Sequence, residues 1–207
     1  MTDLLSPPAA PSATDDDAAQ TDRARPLFQL QRESRWRIAQ SEAAERIARL
    51  RRLRVSIIRH RQALYDGVWA DFRKSATEFE ITEMQLVLGE IAHTIRHLRR
   101  WMRPRRVPTP PLLTGTTARV RLEPRGQVLI LAPWNYPFQL LFGPLVAAVA
   151  AGNVALLRPS EKVPATAAAM ARIVAGAFPE DEVAMVTGGI PTADALLELP
   201  FDHFFFT

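Results

Sequence analysis

The sequence predicts an α/β protein: an incomplete doubly wound parallel sheet, preceded by a helical N-terminal region and a short strand segment. Three observations predict it. Between residues 127 and 206, four short apolar runs alternate with helix-length segments, the pattern of strands covered on both faces by crossover helices. Before residue 103 the apolar residues instead recur every three or four positions. Between these regimes, Ala118-Arg119-Val120-Arg121-Leu122-Glu123 alternates apolar and polar side chains, as a half-buried strand does.

Residues 1–25 are rich in Pro, Ala, Ser, Thr and Asp, with Asp15-Asp16-Asp17 in a row. They bury too little to offset their ordering entropy and read as a disordered tail. The first unit, residues 26–126, starts near Pro26. From 41 to 68, Ile47, Leu50, Leu53, Ile57, Leu64 and Val68 form one helical stripe, with Arg46, Arg49, Arg52 and Arg59 on what reads as the wet face. A second helix over 77–102 carries Met84, Val87, Ile91, Ile95, Leu98 and Met102, and Pro104 ends it. Residues 71–75 connect the two. A proline-rich crossing segment, 104–111, leads to the alternating strand and a turn at Pro124-Arg125-Gly126.

The second unit, residues 127–207, opens with an apolar strand at 128–132. There follow a helix at 139–151 closed by Gly152-Asn153, a strand at 154–157 and an alanine-rich helix at 165–177. A strand at 183–186, a short helix at 192–199 and a strand at 203–206 complete it. With right-handed crossovers this is half of a Rossmann-like, nucleotide-binding sheet.

Composition narrows the function. The chain of 207 residues has no cysteine, which excludes disulfides, thiolate metal sites and a cysteine nucleophile within it. The net charge of +4 is uneven: three basic against seven acidic residues give −4 over 127–207, leaving +8 before it. A basic half suits nucleic acid, yet its arginines interleave with an ordinary core stripe, so no nucleic-acid partner is expected. His93 and His97 stand four apart with no third ligand nearby, so no metal is expected. The longest apolar run, 138–155, is broken by Gly143, Pro144, Gly152 and Asn153, so no membrane span is expected. The N-terminus lacks a signal peptide's basic start and apolar stretch, which makes the cytoplasm the default location.

Open α/β sheets bind ligands beyond the carboxyl ends of their strands. Three unusual clusters fall there: Ala132-Pro133-Trp134-Asn135-Tyr136-Pro137-Phe138, Arg158-Pro159-Ser160-Glu161-Lys162, and Thr187-Gly188-Gly189. Two prolines bracketing Trp-Asn-Tyr make a rigid loop that presents an indole and a carboxamide at the sheet edge.

These clusters, with Ala151-Gly152-Asn153 and Phe201-Asp202-His203-Phe204-Phe205-Phe206-Thr207, resemble the aldehyde dehydrogenase superfamily. The Trp-Asn-Tyr-Pro form looks most like its class 3, fatty-aldehyde or coniferyl-aldehyde branch, and Asp71-Phe72-Arg73-Lys74-Ser75 and Leu88-Gly89-Glu90-Ile91 also fit. The resemblance implies NAD or NADP as cofactor, an aldehyde as substrate and a homodimer that uses the strand near 118–123. It implies that Asn135 donates its side-chain amide to the oxyanion, a contribution of about 3–4 kcal/mol for a fixed neutral donor. Ala132, Pro133 and Trp134 would line the nicotinamide–ribose channel. Arg158, Ser160 and Glu161 would meet the adenosine ribose, Gly188 would let adenine approach, and Thr207 would lead into the phosphate turn.

Arg158 departs from the family's usual lysine. Its planar cation suits a 2′-phosphate and suggests some use of NADP, whereas the Glu161 carboxylate would repel that phosphate. The family's phosphate-binding turn, general-base glutamate and nucleophilic cysteine would follow Thr207. Without a thiol no acyl-enzyme forms, so these 207 residues by themselves are expected to be inactive and to leave an apolar strand edge open. The alternative reading is a non-catalytic module that binds a nucleotide or a partner.

Overall fold

A computed structural model describes the backbone of residues 13–207 and the side chains from residue 17 onward. The helical region comprises α1 (Ala13–Ala39), α2 (Ala43–Arg59), α3 (Arg61–Phe72), α4 (Ala76–Phe79) and α5 (Gln85–Trp101). A π-helical turn over Glu80–Met84 joins the last two. An antiparallel ribbon follows, β1 (Arg105–Val107) against β2 (Ala118–Val120). The remainder is β3 (Gln127–Leu131), α6 (Pro137–Ala151), β4 (Val154–Arg158), α7 (Pro164–Ala177), β5 (Val183–Met185), α8 (Ile190–Leu197) and β6 (His203–Phe206).

The last four strands form one parallel sheet in the order β5-β4-β3-β6, which is the doubly wound α/β arrangement expected. Strand alternation sorts its two faces. Val128, Ile130, Ala155, Leu157, Val183 and Met185 join a core with α2, α3, α5, α6 and α7. Leu129, Leu131, Leu156 and Ala184 face the other way, onto Ala24, Leu27 and Phe28 of α1 and Leu196 of α8. β3, β4 and β5 are buried throughout, hence their unbroken apolar sequences. β6 pairs only with β3 among the described residues and is exposed along its length.

Several readings change. The helix α1 begins at Ala13 and runs through Pro26, so the predicted tail is helical over 13–25, while its first twelve residues lie outside the described ones. Tertiary contacts explain the gain: Gln31 Nε2 donates to the Ala155 carbonyl (2.9 Å), and Phe28 O accepts from Gln127 Nε2 (2.9 Å). The single stripe over 41–68 is two helices, broken at His60. The arginine face is not simply wet: Arg46 and Arg49 are buried. Arg49 makes a two-pronged pair with Glu182 (2.9 and 3.2 Å), tying α2 to the start of β5. The crossing segment contains β1, which gives β2 its partner, and Arg119 and Val120 on β2 are exposed.

His97 stacks on Trp101 and His93 packs at a tilt against both along α5, and the described residues hold no group of three metal-ligating side chains. No helix among them is long and apolar enough to cross a membrane.

Candidate functional site

Parallel pairing brings three strand ends level. Leu131 registers with Arg158 and Leu157 with Met185. The ladder extends one step past the strands through Ala132 N to Arg158 O (3.1 Å) and Val186 N to Leu157 O (2.9 Å). The loops leaving β3, β4 and β5 therefore emerge side by side, where the sequence placed its three clusters.

Two of those loops enclose a cavity of about 530 Å³ lined by Pro159, Ser160, Glu161, Thr187, Gly188 and Gly189, with Ala167, Ala168 and Ala171 of α7 as a wall. Arg158 organises it from beneath. Its Nη2 donates to Glu161 Oε2 (2.8 Å), Gly188 O (2.8 Å) and Gly189 O (3.0 Å), locking the β4 and β5 loops together. Arg158 Nε is buried with no partner. Ser160 Oγ accepts from Lys162 N (3.3 Å), which turns the chain so that Glu161 faces outward. The Glu161 carboxyl is held below the usual carboxylate range by its own backbone N–H and by Arg158, against partial burial. Gly188 has φ +130°, and a Cβ there would overlap Thr192 Oγ1, so its own loop already demands glycine.

The loop after β3 forms a neighbouring arrangement. Ala132 is buried and Pro133 half-buried. Trp134 is 49% exposed and lies over Phe72 with ring centres 6.4 Å apart. Asn135 has its side chain exposed, free to meet a ligand, while its carbonyl accepts from Lys74 Nζ (3.4 Å). Thr207 does not line the Arg158 cavity. It sits with Phe205, Gln139 and Leu140 in a separate groove beside α6.

Sequence reasoning missed what holds these loops. The N-caps of α6, α7 and α8 (Tyr136, Val163 and Gly189) make no side-chain cap. Carboxylates from the helical region serve instead. Glu83 Oε2 accepts from Phe138 N (2.9 Å) and Gln139 N (3.2 Å) of α6. Asp71 accepts from Ala165 N (3.2 Å) and Thr166 N (2.8 Å) of α7. Asp17 accepts from Gly189 N (3.0 Å) just before α8. Negative charge at a helix N-terminus opposes the positive end of its dipole. A capping signal read within a few residues cannot reveal partners 55 to 172 positions away.

The helix N-termini that hold pyrophosphate in ordinary dinucleotide folds are here filled by the protein's own carboxylates.

Comparison with known proteins decides the family. The aldehyde dehydrogenase family model matches residues 10–207. The chain belongs to the aldehyde dehydrogenase family. It is 36% identical over 182 residues to a probable coniferyl aldehyde dehydrogenase of Pseudomonas aeruginosa, covering 87% of this chain and 38% of that protein. It is 40% identical over 162 residues to human aldehyde dehydrogenase family 3 member B1, covering 78% and 35%. Among solved structures, the substrate-bound state of Staphylococcus aureus AldH superposes with a TM-score of 0.78 at 30% identity, covering 93% of this chain and 40% of that one. The class 3 and coniferyl resemblance read from the Trp-Asn-Tyr-Pro loop is borne out, and this aldehyde dehydrogenase chain spans under half the length of those relatives.

Proposed function

We propose that the chain supplies the cofactor-binding part and one oxyanion donor of an NAD-dependent enzyme that oxidises an aldehyde to a carboxylic acid. The observation that carries this reading is the convergence of the Asn135 loop and the Arg158–Glu161–Gly188 cavity at adjacent strand ends, in a chain of this family.

The cavity fits a nucleoside. Its wall of alanines offers a shallow apolar face for a planar base, and the charged Glu161 carboxylate is an acceptor for ribose hydroxyls. Arg158 acts as a brace, since its Nη2 is committed to three acceptors; this favours NAD over NADP. Two carboxylates, Asp17 and Glu161, line the same cavity and would oppose a 2′-phosphate.

NAD, when bound, supplies the hydride acceptor. Asn135 would present its amide N–H groups to the oxygen that gains charge as a nucleophile adds to the aldehyde carbon. A neutral donor fixed in advance stabilises that oxygen without reorganising. Trp134, braced on Phe72, would shield the channel from water. The chain holds no cysteine, so the thiol of this family's reaction is not among these residues. The same reading gives the enzyme a cytoplasmic location and pairs two copies through the β1–β2 ribbon.

The test is aldehyde-dependent reduction of NAD by the complete protein, with aromatic and long-chain aldehydes as substrates. Activity that falls sharply in Asn135→Ala supports the assignment. Undiminished activity in that variant rules out Asn135 as the donor.

A further inference from the structure

The π-helical turn over Glu80–Met84 places an unusual group at the heart of the site. Within this turn Glu83 is completely buried at 0% exposure, on the same helix face as buried Phe79 and Val87. A carboxylate that deep needs partners, and it has three. Phe138 N and Gln139 N donate to Oε2, and Lys74 Nζ donates to Oε1 at 2.7 Å. The Lys74 side chain is itself only 9% exposed. Its ammonium stands 4.7 Å from the Tyr136 ring centre, 5.5 Å from that of Phe72, and 3.4 Å from the Asn135 carbonyl. Phe72 in turn carries Trp134.

We propose that Lys74 and Glu83 are positioning residues for the Trp134–Asn135 loop, fixing the Asn135 amide where an aldehyde oxygen develops charge. The inference rests on the proposed function only in the role it gives Asn135. Beyond the Ala132 N–H on the Arg158 carbonyl, the side-chain hydrogen bonds to the loop's backbone among the described residues come from this pair. Lys74 grips Asn135 and Tyr136 on one side, and Glu83 grips Phe138 and Gln139 on the other. The two prolines, Pro133 and Pro137, stiffen the loop internally but attach it to nothing. The pair couples the two grips, because one ammonium neutralises the carboxylate while touching the loop itself.

The alternative role is stability alone, and two readouts separate the roles. In the complete protein, Lys74→Met should lower kcat about a hundredfold with little change in aldehyde KM, since misplacing a donor by an ångström has that order of effect. Lys74→Arg, which restores the cation, should recover part of the loss. A single variant that strands a buried charge can fail to fold, so the neutral double variant Lys74→Met/Glu83→Gln is the companion. In it, amide hydrogen exchange at Phe138 and Gln139 should accelerate about tenfold or more, while Thr166, held by Asp71, stays unchanged. Exchange accelerated at the loop alone supports the clamp even if the protein oxidises no aldehyde, an outcome that would defeat only the proposed function. Unchanged loop exchange, or a wild-type kcat in active Lys74→Met, overturns the inference.

Discussion

Glu83 and Arg46 hold opposite ends of one helix. Glu83 receives the first N–H groups of α6, and Arg46 donates through Nη1 to the carbonyls of Ala150 (3.2 Å) and Ala151 (2.6 Å) at its end. The next helix repeats the scheme, with Asp71 at the start of α7 and Arg52 Nε donating to Ala177 O (3.1 Å) at its finish. Both helices lead out of loops at the carboxyl end of the sheet, and each is aligned by charges that match its dipole. The helical region is thus a clamp on this scaffold, with Arg46, Arg49 and Arg52 bound within the fold.

Arg46→Met tests that clamp. It removes bonds to Ala150 and Ala151 and those from Nε and Nη2 to Ser41 and Ala39. A loss of about 2–4 kcal/mol is expected by urea denaturation, since buried carbonyls lose a charged donor. A change within experimental scatter contradicts it.

Gly188→Ala acts on the cofactor cavity. The left-handed backbone and the nearby Thr192 hydroxyl force the β5 loop to move, and with it the two carbonyls that Arg158 grips. Affinity for NAD, followed by calorimetry, should fall about tenfold or more from strain of roughly 1–2 kcal/mol. Unaltered affinity would show that this loop lies away from the ligand.

Glu161→Gln tests cofactor choice. Removing the carboxylate keeps an acceptor for the ribose yet ends its repulsion of a 2′-phosphate. The ratio of kcat/KM for NADP over NAD should rise about tenfold in the complete protein. A ratio that stays put places the selectivity elsewhere.

The pH dependence follows from the same residue. Its carboxyl is depressed in the folded protein by its own backbone N–H and by Arg158, so the charged form is favoured there. The associated stability is fully present above the unfolded carboxylate value and disappears as pH falls through the lower folded one. Affinity for NAD should therefore hold level from about pH 8 to about pH 5 and weaken only below the ordinary carboxylate value near 4.3. A Glu161-dependent decline centred near neutrality conflicts with this.

The open side of β6 predicts self-association of these 207 residues. Phe206 is 80% exposed, and Phe204 and Phe205 are also exposed. Flat apolar edges recruit further strands, and a lysine blocks them. Phe206→Lys should shift sedimentation toward monomer. Equal association in both forms removes β6 from the interface.

The α/β half was legible because strands buried on both faces have no polar positions to obscure them: Val128 to Leu131 and Val154 to Leu157 could be little else. The site loops were legible because Pro133, Pro137 and Gly188 mark strand ends. The supports were not. Glu83 stands on the apolar stripe of Phe79 and Val87, but its partners, Lys74 and the first N–H groups of α6, leave no local signal, and Arg46 reads as solvated until α6 ends against it. Helix α1 escaped notice because its order comes from the sheet it crosses rather than from its own composition.

The most direct measurement is an amide NMR titration of the protein with NAD. The account predicts shifts concentrated at Glu161, Ala168, Gly188 and Gly189, saturating together, with smaller ones at Trp134 and Asn135. Shifts that spare these residues at saturation, or that gather on the β1–β2 ribbon or the arginine-bearing helices, would contradict it.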